Sequence, residues 1–277
     1  MPKSFGTRLT EVFETRGQLC VGIDPHASLL ESWGLGDTPA ALREFSLRVI
    51  DAASGRVGLI KPQVSFFERF GAAGYEVLAE VTNAAKDADL LVIADAKRGD
   101  IGTTMEAYLD AWFGEHSGLY ADALTVSPYL GLGVVASNFA SHAANGKGLF
   151  SLVATSNPEG ASVQLATIDG TTLAGSQWGQ LAQLNTEADS LGAFGAVLGA
   201  TLDLEAFHID SSNHKTPILA PGFGAQGAKL CDAKAIYGLL AEQVLYSVSR
   251  SVLAAGPSGL ADAIEISNRE LREGLAK

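Results

Sequence analysis

Leu90-Leu91-Val92-Ile93-Ala94-Asp95-Ala96-Lys97-Arg98-Gly99-Asp100-Ile101 sets an apolar run directly against two carboxylates that bracket an ammonium. A short apolar run bounded by charge reads as a strand buried on both faces, the kind that parallel sheets require. Strand side chains alternate, so Asp95 and Lys97 point the same way, and Gly99 lets the chain turn before Asp100. Charges at the end of a buried strand are tolerated when paired, and flanking carboxylates favour the cationic form of a lysine. Lys97 therefore reads as a general acid or a stabiliser of negative charge. A structural ion-pair network at a strand end fits the same residues.

Seven further runs of this kind lie outward of the first: 18–23, 57–60, 121–126, 149–154, 195–199, 217–220 and 244–248. Between them the apolar period changes to three and four, as in Leu42, Phe45, Val49 and Ala53, or Leu78, Val81 and Ala85, or Trp178, Leu181, Ala188 and Leu191. That period marks amphipathic helices. Eight strands alternating with helices predict an α/β fold, a (β/α)8 TIM barrel, with residues 1–277 as a single domain. An open doubly wound sheet has the same local pattern, and the strand count favours the barrel. The polar, Gly- and Thr-rich stretch at about 157–177 reads as a long loop insertion rather than a boundary.

The 277 residues, 47% of them hydrophobic, are enough for a large core. Net charge −12 argues against nucleic acid or a membrane surface as partner. Cys20 and Cys231 have no metal-ligand or disulfide-framework spacing, and neither a leader nor an apolar span is evident, so a cytoplasmic protein without a metal is expected.

A barrel of this type carries its site at the C-terminal ends of the strands. Polar residues gather there: Asp24 after the first run, Lys61 after the second, Asp95 and Lys97 after the third, Ser127 after the fourth, Ser156 after the fifth and Arg250 after the eighth. Lys61 should lie beside Asp95 if the second and third strands are neighbours. Pro221-Gly222-Phe223-Gly224-Ala225-Gln226-Gly227 follows the seventh run. Together with Arg250 it has the makings of a phosphate cradle, backbone amides plus a guanidinium fork. A plain glycine turn with a surface ion pair is the alternative. Ser156 and Gln226 offer a hydroxyl and a carboxamide to a heterocycle edge, although Ser156-Asn157-Pro158 also suits a turn.

The two motifs together resemble the orotidine 5′-phosphate decarboxylase family. Asp95 to Ile101 is similar to its D-x-K-x-x-D-I core, and Pro221 to Gly227 to its P-G-x-G-x-Q-G loop; the wording Thr155-Ser156-Asn157-Pro158-Glu159-Gly160 resembles the longer bacterial branch. The resemblance implies a homodimer with the site shared across its interface. Lys61, Asp95 and Lys97 would come from one subunit, Asp100 from the other, with Thr104 reaching the ribose across the same interface. It further implies that Asp24 binds ribose hydroxyls, Ser156 and Gln226 the pyrimidine edge or its phosphate side, and Pro221, Gly222 and Arg250 the phosphate. The implied substrate is orotidine 5′-monophosphate, decarboxylated to UMP in pyrimidine biosynthesis without a cofactor, with Lys97 as proton donor to C6. Ser249 stands where relatives commonly have glycine. Three rivals remain open on sequence: a Mg²⁺-dependent enediolate reaction on a sugar phosphate, a Schiff-base aldolase using Lys97, and a non-catalytic nucleotide-binding barrel.

Overall fold

In a computed structural model, residues 2–277 are described. The barrel strands are β1 (Leu19–Ile23), β2 (Leu59–Pro62), β3 (Leu91–Arg98), β4 (Ala123–Val126), β5 (Gly148–Ala154), β6 (Phe194–Leu198), β7 (Ile218–Ala220) and β8 (Val244–Val248). All pair in parallel with their sequence neighbours, and β1 pairs with β8 through Leu19↔Tyr246 to Val21↔Val248, so the sheet is a closed eight-stranded barrel. That closure decides against the open sheet.

Alternation along the strands separates two cores. One set of side chains points outward to the helices, including Val21, Ile60, Val92 and Leu124. The other fills the barrel: Cys20, Leu59, Leu91, Ile93, Ala123, Phe150, Val197, Leu219 and Leu245. Helix α1 (Phe5–Arg16) begins at Ser4, whose hydroxyl accepts from the Thr7 amide, and inserts Phe5 and Leu9 into the lower end of that interior. Phe5 meets Phe150 edge to face with centroids 6.0 Å apart. Burying such side chains contributes about 1.5–3 kcal/mol each and leaves the floor closed to solvent.

Continuing the same inward positions upward gives a different chemistry. After Leu59 comes Lys61, after Ile93 come Asp95 and Lys97, after Ala123 comes Thr125, and after Leu245 comes Ser247. The barrel is thus apolar below and polar above.

Several boundaries differ from the sequence expectation. β2 runs through Lys61 and Pro62, and β3 continues to Arg98, so the charged residues belong to the strands instead of following them. The insertion is no bare loop: it holds a turn of 3-10 helix (Pro158–Gly160), a helical turn (Ala161–Gln164) and a hairpin pairing Thr167–Ile168 with Thr171–Thr172. It ends before 177, because Thr172 caps the helix Leu173–Leu184 by accepting from the Gly175 amide. Ala188 and Leu191 fall beyond that helix. Asn185 stops it and bonds the Phe194 backbone instead, through its side-chain nitrogen and oxygen. No helix among the described residues is long and apolar enough to cross a membrane.

Candidate active site

The polar upper layer lines a cavity of about 340 Å3 at the C-terminal mouth of the barrel. Nine predicted residues meet there: Asp24, Lys61, Asp95, Lys97, Ser156, Pro221, Gly222, Gln226 and Arg250. A larger cavity of about 490 Å3, bordered by Arg8, Arg16, Lys86 and Tyr120, lies toward the N-terminal side and shares no residue with it. Position at the strand ends, not size, selects the former.

Its centre is Asp95, whose two carboxylate oxygens hold different lysines. Lys61 Nζ donates to Oδ2 at 2.9 Å and Lys97 Nζ to Oδ1 at 2.5 Å. Lys61 sits there because β1 and β2 pair Gly22 with Lys61, and β2 pairs with β3. Burial alone would raise the Asp95 carboxyl, but the ammoniums of Lys61 and Lys97 outweigh it and hold the group well below the ordinary carboxylate range. Burial works on Lys61 in the opposite sense, and Asp95 with Asp24 overcomes it, keeping Lys61 protonated well above its ordinary range. Lys61 is almost fully enclosed, whereas the Lys97 side chain is 44% exposed to the cavity. One lysine is enclosed in the structure; the other presents its ammonium to the cavity. Because both Asp95 oxygens carry an ammonium, positive charge already stands where a divalent cation would have to bind. Among the described residues no three His, Cys, Asp or Glu side chains form a group that could hold a metal ion.

The turn expected at Gly99 is made elsewhere. Lys97 itself has φ +50°, a left-handed conformation costing a non-glycine residue about 1–2 kcal/mol. Gly99 is required for space: a Cβ there would lie 2.6 Å from the Ser127 carbonyl oxygen. Arg98 points outward to Glu68, as alternation dictates. Asp100 and Thr104 are not in this cavity. Asp100 accepts from the Ile101 amide at 2.8 Å, and Thr104 is exposed on the helix Gly102–Phe113. Among the described residues of one chain, Lys97 therefore has a single carboxylate partner rather than the bracketing pair suggested by sequence.

Asp24 is held by Ser249, whose hydroxyl donates to Oδ2 at 2.5 Å, while the buried Oδ1 has no hydrogen-bond partner among the described residues. An unpartnered buried oxygen at the edge of a cavity has acceptor capacity left to satisfy. Ser249, where relatives commonly have glycine, thus orients the Asp24 carboxylate. In the glycine loop after β7, Gly222, Gly224 and Gly227 all have positive φ, which glycine adopts without penalty. Arg250 is exposed at the mouth and enters none of the ion pairs among the described residues, contrary to the surface-pair alternative. Ser156 donates to Gln226 Oε1 at 3.0 Å, joining the loops after β5 and β7. Gln164 of the insertion supports this side by bonding both the Thr155 amide (3.0 Å) and the Thr155 hydroxyl (2.8 Å).

Three polar cavity residues lie outside the sequence expectation: Gln63, Thr125 and Ser247. Ser127 was the expected polar end of β4, but it borders a separate pocket with Pro128 and Tyr129. The inward position was available by counting two residues on from Ala123.

A closed (β/α)8 barrel with a lysine–aspartate array, a glycine loop and an exposed guanidinium gathered at the C-terminal mouth has the architecture of a barrel enzyme. The sequence profile described as the Orotidine 5′-phosphate decarboxylase / HUMPS family matches residues 17–263. Curated proteins named orotidine 5′-phosphate decarboxylase are similar throughout: one from Salinispora tropica is 48% identical over 260 residues, covering 94% of this chain and 93% of its own, and one from Nocardioides is 46% identical, covering 97% and 98%. Among solved structures, a Streptomyces avermitilis protein provisionally given the same name superposes with TM-score 0.94 at 45% identity, over 100% of this chain and 98% of its own. OMP decarboxylase of Leishmania donovani superposes with TM-score 0.78 at 27% identity, over 99% and 100%. The chain belongs to the orotidine 5′-phosphate decarboxylase family.

Proposed function

We propose that this protein decarboxylates orotidine 5′-monophosphate to UMP in pyrimidine biosynthesis, without a cofactor. The observation that carries the reading is the exposed Lys97 ammonium, fixed on Asp95 at 2.5 Å and sharing one cavity with the glycine loop and Arg250. In the reaction the bond from C6 to its carboxylate breaks, CO2 leaves, and the electron pair remains on C6. Lys97 stabilises that charge as it develops and transfers its proton to C6; the neutral amine then recovers a proton from solvent. Asp95 stays ionised and holds Lys97 in place.

Arg250 and the loop amides supply phosphate binding remote from C6, energy that can be spent on organising the reacting end. Asp24 takes a ribose hydroxyl on its free oxygen. Ser156 and Gln226 close over the pyrimidine edge. Asp100 and Thr104, both outside the cavity of their own chain, serve the site of a second copy in a cytoplasmic homodimer. The exposed apolar side chains of Ile101 and Tyr108 beside them support that arrangement.

The test is ultraviolet monitoring of chelator-treated protein with orotidine 5′-monophosphate. Loss of orotate absorbance with stoichiometric UMP and undiminished rate in EDTA is expected. No absorbance change would overturn the assignment, and activity restored only by Mg²⁺ would overturn its cofactor independence.

A further inference from the structure

The left-handed Lys97 lies inside an irregularity of the barrel. β3 and β4 pair Ala94 with Leu124 and then Arg98 with Val126, so four steps along β3 match two along β4. A bulge of this kind re-aims a side chain and leaves backbone groups without ladder partners. Here the Lys97 amide finds one outside the backbone: it donates to Thr125 Oγ1 at 2.9 Å. The same hydroxyl donates to Asp95 Oδ1 at 3.0 Å, the oxygen that also receives the Lys97 ammonium. Thr125 is 1% exposed. Its single proton and one lone pair are therefore both committed, one to each end of the Asp95–Lys97 unit.

We infer that Thr125 is a positioning residue for the decarboxylation, its hydroxyl setting the direction of the Lys97 ammonium by fixing both the strained Lys97 backbone and the carboxylate on which that ammonium rests. This rests on the reading that Lys97 acts at C6. Without the hydroxyl, Asp95 Oδ1 loses a donor and the Lys97 amide loses its acceptor on β4. The ammonium can then swing on a partly exposed side chain, and misplacement by a fraction of an ångström is costly for a group that must meet charge at one atom.

Thr125→Val keeps shape and β-branching and removes only the hydroxyl; Thr125→Ser keeps the hydroxyl. Turnover of orotidine 5′-monophosphate, thermal melting, and affinity for UMP and for a UMP analogue with an anionic oxygen at C6 are measured on the full chain. Thr125→Val should lower kcat about 10- to 100-fold, the range for hydrogen bonds to charged groups, with KM and UMP affinity changed by less than about threefold. Affinity for the C6-oxyanion analogue should fall in parallel with kcat, and Thr125→Ser should recover most of both. Wild-type kcat in Thr125→Val, equal losses for UMP and the analogue, or no recovery in Thr125→Ser would overturn the assignment. Thr125→Ala carries the same readout if the valine variant does not fold. A wild-type protein inactive on the substrate would instead refute the proposed function, and the analogue-to-UMP affinity ratio would still report on Thr125.

Discussion

Replacing Asp95 by asparagine removes the one carboxylate shared by two lysines. Lys61 is the costly survivor, since its side chain is 7% exposed and its 2.9 Å pair with Asp95 is lost. Removing one partner of a buried pair costs about 3–5 kcal/mol. Asp24 still acts favourably on Lys61, and the more exposed Lys97 can be rehydrated, so the lower end, about 3 kcal/mol, is expected. At about 2–4 °C per kcal/mol for a domain of roughly this size, the melting temperature should fall by about 6–12 °C at pH 7. Adding Lys61→Met to Asp95→Asn removes the stranded ammonium and should return at least about half of that loss.

The pH dependence has a definite sign. Asp95 is held below its unfolded value, so its contribution is complete above about pH 4 and disappears as pH falls through the lower folded value. Lys61 is held above its unfolded value, so its contribution is complete below about pH 10 and is lost only at higher pH. The gap between wild type and Asp95→Asn should be level from about pH 5 to 9 and close in acid, as the wild type loses the same pair. Calorimetry or circular dichroism measures it. A variant melting within about 1 °C of wild type, or a double variant no more stable than the single one, would refute the reasoning.

Arg250→Ala should raise KM for the phosphorylated substrate by at least about tenfold while leaving the melt unchanged, and added guanidinium should restore part of the turnover, measured by the ultraviolet assay. Inactive Lys97→Ala and Asp100→Asn proteins, mixed under conditions that exchange subunits, should regain activity because one site of each hybrid carries neither lesion; continued inactivity with exchange demonstrated would place both residues in one chain's site. Cys20 is buried in the barrel interior with its thiol pushed up to about 12, so native protein should take one thiol label, at Cys231, and denatured protein two, counted by mass.

The barrel was legible because each strand buries both faces and leaves an apolar run, from Leu90–Ala94 to Val244–Val248. Lys61 beside Asp95 followed from strand adjacency alone. What escaped depends on pairing rather than burial. Thr125 matters because the β3–β4 register shifts, and a register is a property of two strands. Lys97 rather than Gly99 takes the left-handed conformation because that shift falls there. Asn185 ends its helix through bonds to Phe194, nine residues on, which a period of three and four cannot report.

Lys97→Ala tests most directly whether Lys97 acts on the reacting carbon. Asp95 keeps its pair with Lys61 in that variant, so the fold and the phosphate grip should survive. Turnover of orotidine 5′-monophosphate should fall by at least about 10⁴-fold, the combined scale of lost proton transfer and lost charge stabilisation, while UMP affinity stays within about threefold of wild type. A folded Lys97→Ala protein that still forms UMP at a rate near wild type would contradict the mechanism.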